Sequence, residues 1–116
     1  MNLEELLNQV KTAPEATEFA DVIAVIDATY NFEPTGFTNG ETRNEAGENN
    51  GSCKIFGFAR LQNLSEPQTL ALFGDYYRSD VLKHLSNTDH QNIRNFMKAG
   101  WDGILFDANP LSEKDE

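Results

Sequence analysis

The polar run from Asn31 to Ser52, NFEPTGFTNGETRNEAGENNGS, divides this chain into two apolar parts. It holds no aliphatic side chain larger than Ala46, and its only large apolar residues are Phe32 and Phe37. A stretch so composed supplies no core-facing helix. It reads as a long structureless connection, and such connections inside compact domains are either functional or disordered. On both sides the apolar residues recur at helical spacing. The core is therefore expected from helices that flank a polar excursion, with any working face bordering that excursion. The run ends at Gly51-Ser52-Cys53, so the lone cysteine stands where a new element begins.

Four positions carry a small polar residue followed three places on by Glu or Gln: Asn2 with Glu5, Thr12 with Glu15, Ser65 with Gln68, and Thr88 with Gln91. Each pair can satisfy orphan amides at a helix start in both directions. Behind them the stripes run Leu3, Leu6, Leu7, Val10; then Phe19, Val22, Ile23, Ile26, Tyr30; then Leu70, Phe73, Tyr77, Val81; then Ile93, Phe96, Met97. Such one-sided stripes mark helices that face a core. Pro14 and Pro67 fall in first turns, where a missing N–H costs nothing, and Gly100 is a helix stop. Residues 53–61 fit a buried helix or a buried strand; Ser52 as a cap favours helix, while Gly57 weakens it by about 1 kcal/mol relative to Ala. Thr35 to Asn39 and Gly103 to Phe106 look extended, and they are expected to pair as a ribbon lying on the helices. The expected fold is mainly α (α+β): one domain over residues 1–111, a compact bundle of four to five helices with a minor two-stranded β element. A polar tail over 112–116 is expected to fray.

Charge excludes several partners. Net charge is −10, and residues 1–50 alone carry ten acids against Lys11 and Arg43. With no basic stripe, such a surface repels phosphate backbones and anionic bilayers, so neither nucleic acid nor a membrane is an expected partner. No apolar segment approaches the length of a membrane span, and no Sec-type signal is visible at the N-terminus. A single cysteine fits a reducing, cytoplasmic setting. Two histidines and one cysteine show no metal-ligand spacing, and Gly40, Gly47 and Gly51 form no phosphate-binding motif, so no metal or cofactor is expected.

Cys53 is the sharpest chemical candidate, because a thiol at a helix N-terminus is acidified by the dipole and free amides. It needs a base, and His90 is the candidate. Asn92, two positions further along a helix, lies about 200° round the axis and cannot orient the same imidazole. The bland alternative is a buried apolar thiol, the usual state of a free cysteine. His90 and Arg94 share a helix face at i, i+4. In Asp75-Tyr76-Tyr77-Arg78, Tyr77 lies on the apolar stripe while Tyr76 faces elsewhere and is a recognition candidate. Trp101, just past Gly100, plugs a core edge or lines a pocket with Phe37.

Several blocks resemble the HopJ (HopPmaJ-like) type III effector family. They are Thr35-Gly-Phe37-Thr-Asn39-Gly40, Gly51-Ser52-Cys53-Lys54-Ile55-Phe56, Leu70-Ala-Leu72-Phe73 with Tyr76-Tyr77-Arg78, Asp89-His90-Gln-Asn92-Ile93-Arg94, and Gly100-Trp101-Asp-Gly103-Ile104. The resemblance runs from about Leu3 to Leu111. It implies a small α-rich fold and a bacterial source, and it implies no assigned activity. The family pattern has larger residues where this chain has Gly36 and Gly57, so looser packing is expected there.

The favoured expectation is an acidic interaction or small-ligand-binding module. Its partner would be an unidentified protein or small molecule, met by Phe37, Asn39, Tyr76, Arg94 and Trp101. One alternative is a hydrolase or transferase using Cys53 and His90. Another is an effector delivered into host cells by type III secretion, a reading the ordered-looking helix at Leu3–Val10 disfavours.

Overall fold

A computed structural model describes residues 1–114. Five α-helices pack with two small antiparallel sheets into a body of 45 × 32 × 21 Å. Helix α1 (Leu3–Thr12) opens with a complete capping box: Asn2 accepts from the Glu5 amide at 2.8 Å, and Glu5 accepts from the Asn2 amide at 3.0 Å. Leu6 and Val10 lie at the centre of its buried face. The second expected box does not form. Thr12 is the last residue of α1, and its hydroxyl donates to Asn8 O at 2.8 Å. Pro14 bars Ala13 from helical backbone and starts a short 3-10 turn, Pro14–Ala16, so α2 (Phe19–Thr29) begins later than the pattern suggested. Arg78 clamps this turn by donating to Thr17 O at 2.7 Å and Pro14 O at 3.4 Å.

The polar run is ordered, which corrects its reading as a structureless excursion. It contains strands β1 (Tyr30–Phe32), β2 (Phe37–Asn39) and β3 (Thr42–Asn44). The expected ribbon exists: β2 pairs antiparallel with β4 (Ile104–Phe106), Phe37 opposite Phe106 and Asn39 opposite Ile104. It is larger than expected, because β3 pairs with the other edge of β2 to give the order β3-β2-β4. A separate ribbon joins β1 to β5 (Leu111–Glu113). Ser112 and Glu113 are thus held in a strand instead of a frayed tail; Asp115 and Glu116 lie outside the described residues.

Helix α3 (Asn50–Leu61) settles the ambiguous segment as helical, starting two residues before Ser52, with Asn49 in left-handed conformation at its cap. It is the central helix, and Cys53, Ile55, Phe56, Phe58 and Ala59 are all buried. Phe56 meets Phe37, Phe73, Phe96 and Trp101 at ring separations of 5.0–6.4 Å, the offset and edge-on contacts aromatic rings prefer. Packing at Gly57 is tight instead of loose, since a Cβ there would lie 2.8 Å from Pro110 Cγ. Helix α4 (Glu66–Ala71) has the expected box between Ser65 and Gln68. The stripe from Leu70 to Val81 is not one helix. Gly74 breaks it at φ +60°, where a Cβ would sit 2.8 Å from the Phe19 amide nitrogen, and a π-helical turn follows over Tyr76–Val81. Helix α5 (Gln91–Ala99) is capped by His90 in left-handed conformation, not by Thr88. It ends at Gly100, as expected, and a 3-10 turn over Gly100–Gly103 leads into β4.

Candidate functional site

The first turns of α3 and α5 converge on one cleft of about 450 Å³. Asn49, Gly51 and Ser52 line it from α3, and His90, Gln91 and Asn92 from α5. Thr42 comes from β3, and Phe19, Phe73, Tyr76 and Ile93 complete the wall. Gly51 matters sterically: a Cβ at this position would stand 3.0 Å from Phe19 Cζ, so glycine lets that ring close over the helix start. Neither helix has a side-chain cap. First-turn amides have no acceptor within their own helix, and Gly51, Ser52, Gln91 and Asn92, which carry such amides, line the cleft.

One wall is aromatic. Phe19 packs edge-on against Tyr76 with centroids 5.0 Å apart, and Tyr76 lies 5.2 Å from the His90 ring. His90 Nε2 is 3.1 Å from Asp80 Oδ2. An ionised carboxylate only accepts hydrogen bonds, so this contact places the ring proton on Nε2.

Under the cleft lies an asparagine network. Asn92 Oδ1 accepts from Asn39 Nδ2 at 3.0 Å and from Asn44 Nδ2 at 3.1 Å. Asn92 Nδ2 donates to Asn44 Oδ1 at 2.9 Å, which also accepts from Asn49 Nδ2 at 2.8 Å. Asn95 donates to Asn39 O and to Thr42 Oγ1. Asn39, Asn44 and Asn92 are buried, and every side-chain polar atom of the three except Asn39 Oδ1 has a hydrogen-bond partner, as buried amides require. The network ties β2, β3 and the start of α3 to α5, and so fixes the two helix ends relative to each other.

The candidates read from sequence are divided by this geometry. Tyr76 and His90 meet in the cleft. Phe37 is fully buried between Phe56 and Phe106. Asn39 is buried in the network beneath the cleft. Arg94 is 7% exposed and its guanidinium is occupied: it donates to Asp89 Oδ1 at 2.7 Å, Asp89 O at 2.6 Å and Leu85 O at 3.2 Å. That pairing holds the Asp89 carboxyl below its ordinary range. Trp101 lines a different, 300 Å³ depression with Arg60 and Leu64, and donates its indole N–H to Leu64 O at 3.2 Å.

Cys53 is 1% exposed, and its Sγ donates to Thr35 O at 3.8 Å. Burial pushes the thiol up from its ordinary value, the reverse of an activated nucleophile. Cys53, His90 and Arg94 therefore share no cavity. Phe19, Asn49, Ser52, Gln91, Asn92 and Asp80 belong to the site and were missed. Gly51-Ser52, where the polar run ends, was a usable signal for α3; nothing local linked it to Gln91 or Asp80.

A small, mainly α domain with a polar cleft where two helix starts meet is the class that the fold and the site define. A family model described as HopJ type III effector protein matches residues 3–111, and the chain belongs to that family. A solved structure titled as that of the unknown function protein VPA0580 is similar at 53% identity, with a TM-score of 0.97, over 98% of this chain and 95% of that one. No curated protein matches the chain. No helix among the described residues is long and apolar enough to cross a membrane.

Proposed function

We propose that this chain is a small-ligand-binding module whose working face is the cleft between the starts of α3 and α5. The observation that carries the reading is the convergence of two uncapped helix starts and an aromatic wall on one 450 Å³ space. Binding sites combine apolar walls with a few convergent polar groups. The ligand offers a ring to Tyr76 and Phe19 and acceptor atoms to the amides of Gly51, Ser52, Gln91 and Asn92. The thiol-enzyme alternative lacks support, because Cys53 is buried and its ionisation disfavoured.

The test is a titration of isotope-labelled protein with a library of ring-bearing small molecules, read by amide chemical shifts. Hits should move the amides of residues 51, 52, 91 and 92 together, and Tyr76→Ala should weaken them about tenfold, the loss of roughly 1.4 kcal/mol. Tyr76 is 44% exposed, so this variant keeps the fold. Hits that map elsewhere, or no hits, would remove the reading.

Family membership also supports delivery through a type III system as a second reading. A secretion assay of the full chain tests it, and retention of the protein inside the producing cell counts against it.

A further inference from the structure

Exposed apolar side chains cluster around the loop that precedes α5. Leu85 (68% exposed) and Met97 (39%) line one groove of about 370 Å³. Its floor includes the fully buried Val81, and the next residue, Leu82, is 41% exposed. Arg94 also lines it, and by bonding Asp89 and Leu85 O it pins the loop wall against α5. Large apolar side chains gathered around a concavity mark binding surfaces on otherwise polar proteins.

The charged residues that line the groove, Arg94 and Lys98, are both basic on a molecule of net charge −10. Residues 81–98 carry Lys83, Arg94 and Lys98 against Asp89, a net of +2, while the remaining residues carry six bases and eighteen acids, a net of −12. Asp89 is spent on Arg94. Lys98 lines the groove, and neither it nor Lys83 has an ion-pair partner among the described residues.

We propose that this groove docks an acidic amphipathic segment of a partner protein, with its apolar side chains between Leu85 and Met97 and its carboxylates at Lys98. Amphipathic helices bind apolar grooves in this way, and complementary charge selects the partner and speeds encounter. A second copy of the chain fits less well, because a two-fold contact sets the same patch against itself and opposes lysine to lysine. An anionic bilayer fits less well too, since as an extended surface it also faces the remaining −12, whereas a short segment meets the groove alone and the distant acids are screened from it. This surface is separate from the cleft, and its test does not depend on the cleft binding anything.

The experiment is fluorescence anisotropy of a labelled peptide of about four helical turns, with Leu at i, i+3, i+4 and i+7 and Glu elsewhere, titrated with the full chain. Saturable binding is expected, weakened at least about tenfold by Leu85→Asp or Met97→Asp and about threefold by Lys98→Glu, as loss of an anchor and of a rim charge should do. These positions are exposed, and circular dichroism melts check that the variants stay folded. A matched peptide with Lys in place of Glu should not bind. Absence of saturable binding, or binding undiminished in both aspartate variants, overturns the proposal. Self-association abolished by Leu85→Asp overturns it in favour of a second copy, and flotation with phosphatidylserine vesicles abolished by the same change overturns it in favour of a membrane.

Discussion

Asparagine and cysteine show how little a residue type says about its use until its surroundings are known. Asn39, Asn44 and Asn92 serve as core residues because each amide meets another. Cys53 stands near the start of α3, where a dipole would acidify it, yet burial dominates and raises its pKa. The sign of the resulting pH effect follows. A thiol with a folded pKa above its unfolded one adds stability in full below about 9.0, the ordinary value. That contribution is lost as pH rises through the folded value. Unfolding midpoints in urea should therefore fall at alkaline pH, and Cys53→Ala should flatten that limb of the curve. Alkylation of folded protein should be slow and track global unfolding. A fast reaction near neutral pH would show an accessible thiolate instead.

Elements with a complete local instruction were legible. Asn2 and Ser65 start helices through reciprocal caps, and Gly100 stops one, because all the groups involved are within a few residues. The pairing of β2 with β4 was also legible, from two short segments that look extended, Thr35 to Asn39 and Gly103 to Phe106. Elements set by distant contacts were not. The inward positions of β2 and β3 include Asn39 and Asn44, so the alternation that marks a half-buried strand was missing, and Asn92, joined at Asn44 by Asn49, makes those positions tolerable. The apolar stripe across Gly74 looked continuous, but the amide of Phe19 fills the space beside it. Gly74→Ala should cost at least about 2 kcal/mol, from left-handed strain together with that backbone contact. Gly47→Ala shares a positive φ, +92°, but has open space around it, so it should cost less. Urea denaturation of the two variants checks the difference. The cleft was half legible for the same reason: the end of the polar run pointed to α3, but its partner wall comes from residues far along the chain.

At the level of the molecule, α1 is structural. Leu6 and Val10 are 0% and 1% exposed and join the same core as α2 and α3. Leu6→Ala should cost about 2–5 kcal/mol, a large share of the roughly 5–15 kcal/mol that holds a domain together. Thermal unfolding reads it directly. Removal of residues 1–12 should leave a protein that no longer melts cooperatively, whereas a dispensable leader would come away without effect.

The β1–β5 ribbon sets an order of events for a chain made from its N-terminus. Tyr30–Phe32 emerges from the ribosome long before Leu111–Glu113 exists, and Asn39 and Asn44 likewise emerge before Asn92. Until Leu111–Glu113 is synthesised β1 has an open edge, and until Asn92 is synthesised two buried amides lack their mate. The nascent chain must then be either kept apart from its neighbours or finished quickly, and the acidic first half, by mutual repulsion, favours the former.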